Sequence, residues 1–243
     1  MNRQTSARNV VLASIMTILV TSCRQGSFDS LRSRIDLGGK WQFAMDTTGE
    51  GISSQWYLKQ LADSIVLPGT MDENSKGIPN TNHNETMRLS REFIYAGKAW
   101  YRKLVDIPAG WKGKHITLKM ERTKPSTVWV DSVLTGSNND ILTEQEYDLS
   151  RYMTPGKHTL TILIDNGKGS VPDGIKGSHA WTEHTQGNWN GITGSFCLEA
   201  SAPAYIGNVM VYPDVNSKSI KVSIRVFDRG GIRGKKEILL RAY

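Results

Sequence analysis

Cysteine is nearly absent: 243 residues contain two, Cys23 and Cys197. There is no CxxC pair and no Cys/His spacing of a zinc site, which argues against a disulfide scaffold and a structural metal centre. No apolar run approaches the roughly 20 residues that span a bilayer; the longest runs only from Val10 to Val20. Long amphipathic periodicity at 3.6 residues is missing, which argues against a parallel α/β sheet. A GxSxG nucleophile elbow and an HExxH zinc helix are also missing, so Ser178 beside His179 is not read as part of a triad. The net charge of +7 comes from bases scattered along the chain rather than massed, and it leaves no nucleic-acid footprint.

What is present begins with a processing signal. Arg3 and Arg8 precede the apolar run, which ends in Val20-Thr21-Ser22-Cys23. Small residues before a cysteine, in that order, resemble a bacterial lipobox. The expectation is cleavage before Cys23 and lipidation of its thiol; the alternative is an ordinary signal peptide with an incidental cysteine. Several acyl chains on one cysteine would hold the protein at a membrane stably. That places it in the bacterial cell envelope, in the periplasm or at the outer membrane, touching the membrane through the lipid alone. Loss of residues 1–23 removes two arginines and lowers the charge to +5. Cys197, in the apolar run Ser195-Phe196-Cys197-Leu198, reads as a small buried hydrophobe.

Residues 24–35 are polar and read as a tether. Trp41, Phe43 and Met45 then alternate with Gln42 and Ala44, a strand with one buried face. Further strands are expected at Ser64–Leu67, Ala99–Ile107, Lys114–Glu121, Thr127–Val133, His158–Asp165 and Phe196–Leu198, with a short edge-like piece at Tyr147–Leu149. Pro68-Gly69, Pro108-Ala109-Gly110 and Pro155-Gly156 punctuate them. Short strands separated by turns predict an all-β fold, a jelly-roll β-sandwich over 36–203. A second set, Tyr205–Tyr212, Ser219–Phe227 and Glu237–Tyr243, is too few to close a sandwich. Residues 204–243 therefore predict the start of a second one, with its remaining strands expected beyond Tyr243 or in a segment elsewhere.

At this point the residues resemble glycoside hydrolase family 2. Leu37-Gly38-Gly39-Lys40-Trp41-Gln42-Phe43 is similar to the opening strand of that family's sugar-binding domain. Ala99-Trp100-Tyr101-Arg102-Lys103, Val128-Trp129-Val130-Asp131, Tyr147-Asp148-Leu149, Asn190-Gly191-Ile192-Thr193-Gly194 and Ile206–Pro213 follow in the family's order. One departure is Asp131-Ser132 where the family usually has Asn-Gly, so the turn there is expected to be of another type. The resemblance implies a jelly roll followed by the start of an immunoglobulin-like domain. It also implies that both catalytic carboxylates belong to a third, barrel domain expected downstream.

Retaining glycosidases need two carboxyl groups about 5–5.5 Å apart, and no acid pair here suggests such a cleft. Asp72-Glu73 reads as solvated loop acids, and His179 to His184 as structural or sugar-facing polar residues rather than metal ligands. No catalytic residue, metal or cofactor is expected. Sugars offer hydroxyls to amides and arginines, and C–H faces to tryptophan. Thr185 to Asn190 supplies both kinds of group, and the resemblance points at Asn188 and Trp189 as sugar-contacting. Trp189 alternatively anchors its loop to the core. In the long loop Asn80 to Arg91, Arg88 and Arg91 are candidates for a hydroxyl or carboxylate, with structural ion pairing as the alternative. The expected role is the non-catalytic front of an exported β-glycosidase, nearest the β-galactosidase branch. It would brace the barrel, rim its pocket and take a β-linked glycoside as partner. A free-standing carbohydrate-binding lipoprotein is the rival reading.

Overall fold

The structure, a computed structural model, describes residues 32–82, 84, 86, 89–167, 169–181, 183, 187–229 and 237–239. Cys23 and Arg88 lie outside the described residues, as do the signal segment and most of the tether. Fifteen strands are described: β1 (Arg32–Asp36), β2 (Gly39–Asp46), β3 (Asp63–Leu67), β4 (Gly69–Thr70), β5 (Ile78–Pro79), β6 (Phe93–Ile94), β7 (Lys98–Ile107), β8 (His115–Thr123), β9 (Ser126–Val130), β10 (Val133–Asn138), β11 (Gln145–Asp148), β12 (Gly156–Asp165), β13 (Gly191–Ser201), β14 (Ala204–Asp214) and β15 (Ser219–Asp228). Only short 3₁₀ turns interrupt them, and none of the described residues form an α-helix.

Two antiparallel sheets face each other. One has the order β1-β13-β8-β11 with β4 added alongside β13; the other runs β10-β9-β12-β7-β2-β3. The alternation seen in sequence sorts the faces. Trp41 and Phe43 of β2, Tyr101 and Val105 of β7, Leu118 and Met120 of β8, and Ile162 and Ile164 of β12 all enter the core between the sheets. Each large apolar side chain buried this way is worth about 1.5–3 kcal/mol. The pairing is long where burial is deep: β7 and β12 stay in register from Ile107↔Gly156 to Lys98↔Asp165.

The six-stranded sheet is also covered on its other face. Trp100, Trp129, Leu163 and Leu61 form a second cluster, closed over by Trp56 and Tyr57 of the 47–62 connection. Tyr57 stacks flat on Trp129 with centroids 5.4 Å apart. Opposite faces of β7 thus serve two cores, which an alternation of apolar with polar residues does not announce.

Besides the two-residue strands β4, β5 and β6, two longer strands differ from expectation. The polar stretch read as tether ends in β1, paired with β13 from Arg32↔Ser201 to Asp36↔Cys197. Ile35 packs partly buried against the core, and charge holds the other face: Arg34 donates to Glu199 at 2.9 Å and Arg32 at 3.2 Å. The second is β10, which folds back on β9. Asp131 alone of the two turn residues takes positive φ, 54°, where a type I′ turn needs both. Its carboxylate accepts from the Thr159 backbone N–H at 2.8 Å and fixes the turn against β12. Beyond Ser201 the chain enters the β14–β15 hairpin. The hairpin touches the sandwich through Tyr205, stacked on His115 at 4.7 Å, and through Arg229, which pairs with Asp148.

Candidate functional site

One end of the sandwich is organised by three asparagines. Asn190, directly before β13, is fully enclosed. Its Oδ1 accepts from the Tyr101 hydroxyl at 2.7 Å, and its Nδ2 lies within hydrogen-bonding reach of the carbonyls of Gly97 and Ile164 and of Asn166 Oδ1. Asn166, directly after β12, donates to the carbonyls of Tyr95 and Asn188 and accepts from the Gly97 N–H. Asn188 returns a bond from its Nδ2 to the Asn166 carbonyl at 2.7 Å. The ends of β7, β12 and β13 are thus laced together by side-chain amides, Asn166 and Asn190 each donating and accepting and Asn188 donating. Burial pushes the Tyr101 hydroxyl well above its ordinary value, so it stays a neutral donor.

Asn188 is 7% exposed, and its Oδ1 is buried with no hydrogen-bond partner among the described residues. A buried acceptor left empty costs about 1–3 kcal/mol. Arg91 holds the same loop: its guanidinium donates to the Asn188 carbonyl at 2.8 Å and to Glu183 at 2.5 Å. Both ends of the fork are therefore engaged within the chain, in the ion-pairing arrangement.

Trp189 stands over a cation. The Lys124 ammonium lies 4.9 Å from its ring centre and 5.4 Å from that of Trp181, and donates to the Ala180 carbonyl at 2.8 Å. Lys124 is 2% exposed. Burial, helped by the nearby Arg122 charge and opposed by Glu183, pushes its pKa down to about 8. A desolvated ammonium between two indoles gains about 2 kcal/mol or more from cation–π attraction. Lys124 therefore ties Ala180, Trp181 and Trp189 together.

Gly191 takes φ +140°, and a Cβ there would meet the Gly69 carbonyl oxygen at 2.3 Å. Only glycine lets β4 pair with the start of β13 at this point. Asp72 and Glu73 face different partners: Asp72 accepts from the Phe93 N–H, and Glu73 from the backbone and hydroxyl of Thr70. No three His, Cys, Asp or Glu among the described residues converge to hold a metal. Sequence reasoning singled out Asn188, Trp189 and Arg91, which the fold does bring together; it placed Asn190 and Glu183 only within longer polar stretches and gave no role to Asn166 or Lys124. Asparagine is so common in turns that only its partners reveal these roles.

A sequence profile described as "Glycosyl hydrolases family 2, sugar binding domain" matches residues 35–182, more than half of the chain. The chain belongs to glycoside hydrolase family 2. Its family 2 relatives include a β-glucuronidase of Paenibacillus borealis, 23% identical over 207 residues, covering 79% of this chain and 33% of the relative. Another is a β-glucuronidase of Sus scrofa, 24% identical over 235 residues, covering 86% of this chain and 35% of the relative. Among solved structures, a β-glucuronidase of an uncultured Clostridium sp. superposes with TM-score 0.62 at 18% identity, over 81% of this chain and 34% of that one. A Ruminococcus gnavus β-glucuronidase in complex with uronic deoxynojirimycin gives TM-score 0.62 at 22% identity, over 83% and 35%. These likenesses share the fold. The chain spans about a third of the length of the relatives it matches. The asparagine-laced end thus belongs to a family 2 sugar-binding domain of β-sandwich form.

Proposed function

We propose that this chain is the non-catalytic front of an exported family 2 β-glycosidase, in which the 187–190 segment rims the sugar pocket of a barrel domain that the sandwich braces. The observation that carries the reading is the empty, buried Oδ1 of Asn188, set in a loop pinned by Arg91, Asn166 and Lys124. A pinned loop that withholds one acceptor from its own chain fits a surface completed by an external hydroxyl or N–H donor. Trp189, beside it, supplies the apolar face that a sugar ring prefers. The relatives' names favour a β-glucuronide and the sequence resemblance a β-galactoside.

Chromogenic forms of both glycosides test the reading. The 243-residue chain alone should turn over neither. A longer product of the same gene, carrying a barrel, should turn over one, with KM raised by Asn188→Ala. Turnover by this chain alone, or no change on Asn188→Ala in the longer protein, would overturn it. Export and lipid attachment at Cys23 belong to the same proposal, supported by the basic start, apolar run and small residues before the cysteine. Fatty-acid labelling abolished by Cys23→Ala is the expected result.

A further inference from the structure

The outer face of the six-stranded sheet holds a cleft of about 460 Å³ that the preceding site does not use. That volume falls in the range of roughly 300–1,000 Å³ typical of small-ligand pockets. Its floor is the end of the sheet, where Lys98 of β7 lies directly across from Asp165 of β12, and Leu163 across from Thr127 of β9. The walls come from two connections: Ile52 from the 47–62 segment on one side, and Asn138 with Asn139 at the end of β10 on the other.

The groups facing this space are under-used by the protein itself. The Lys98 ammonium and the Asn139 carboxamide make no hydrogen bond or ion pair with any described residue. Asn138 spends its Oδ1 on the Asp140 N–H and leaves its Nδ2 unpaired among the described residues. Asp165 spends Oδ1 on the Gly167 N–H. Donors and acceptors therefore both face this space, beside the exposed aliphatic side chain of Ile52.

That mixture selects the ligand. Hydroxyls both donate and accept, and a sugar ring offers an apolar C–H face to the aliphatic wall at Ile52. Lys98 and Asp165 balance each other, so a carboxylate or phosphate would be opposed by Asp165 and a cation by Lys98. We propose that this cleft is a second saccharide site, for a neutral hexose unit. Every group it needs lies on this chain, so it does not rest on the barrel reading.

The test is titration of the isotope-labelled 243-residue chain with lactose and with cellobiose at millimolar concentrations, glucuronic acid serving as the charged control. One of the neutral disaccharides should shift the backbone amide signals of Lys98, Thr127 and Asn139 in a saturable way. Asn139→Ala and Lys98→Met should each weaken half-saturation about 5- to 10-fold, the effect of losing one hydrogen bond, with the thermal midpoint unchanged for the exposed Asn139. Absence of saturable shifts at these three residues would overturn the proposal. So would shifts that persist undiminished in both variants, or a response to glucuronic acid alone.

Discussion

Strands β12 and β15 carry the same alternation and meet different fates. Leu160, Ile162 and Ile164 of β12 are sealed between the two sheets, whereas Ile220 and Val226 of β15 are open to solvent and Val222 and Ile224 only half-buried. The period of two specifies a strand and gives it a face; what covers the face is set by other parts of the chain. β12 lies between β7 and β9 with an opposing sheet beneath. β15 has β14 and nothing else described beside it.

The sharpest way to break the comparison is one substitution at both places. Ile162→Ala should cost about 2–5 kcal/mol in urea unfolding, and Ile220→Ala no more than about 0.5 kcal/mol. Equal losses would mean that the hairpin is covered in solution. Next in size, Tyr101→Phe strips the donor from Asn190 Oδ1 in the core and should cost about 1–3 kcal/mol, seen as a lower thermal midpoint.

Lys124 sharpens the same contrast through pH. Below pH 8 its ammonium is charged in folded and unfolded chains alike, and the fold bears the cost of burying it. From about 8 up to the ordinary lysine value of 10.5, the folded protein has released the proton while the unfolded chain still holds it. The unfolded state then binds more protons, so stability rises with pH across that window. The gain should be about 1–2 kcal/mol, read from urea midpoints at about pH 7.5 and about pH 9.5, and Lys124→Met should flatten it. Tyr95 and Tyr147, both pushed up to about 12 chiefly by burial, act in the opposite sense only above the ordinary tyrosine value of 10. The smallest effect is expected at the junction. Arg229→Ala breaks an exposed pair with Asp148 and should change sandwich stability by less than about 1 kcal/mol. Amide exchange in β14 should nonetheless quicken while β12 stays protected.

The fold was legible in sequence wherever large apolar residues recur at every second position. Trp41-Gln42-Phe43 announces β2, and Leu160 to Ile164 announces β12. Legibility failed where polar contacts share in holding a strand. β1 is recruited by Glu199, a residue more than a hundred positions away. β10 depends on a turn fixed by Asp131 and on Thr127–Ser137 and Thr135–Val128 hydrogen bonds. The candidate site divides in the same way. Asn188 and Trp189 stood out because the family resemblance pointed at them and because the stretch pairs amides with a tryptophan. Asn166, Asn190 and Lys124 become visible only once the folded chain supplies their partners.

The pairing of β1 with β13 has a mechanical side. Arg32, where the sandwich begins, and Ser201, where it ends, sit opposite each other in one antiparallel ladder. Tension passed along the polypeptide through this unit would enter and leave at neighbouring rungs, peeling a single edge strand instead of straining the layers behind it. The two arginines gripping Glu199 stand within the first rungs of that ladder. They would act as a latch, and the compact body would ride beside the load path rather than in it.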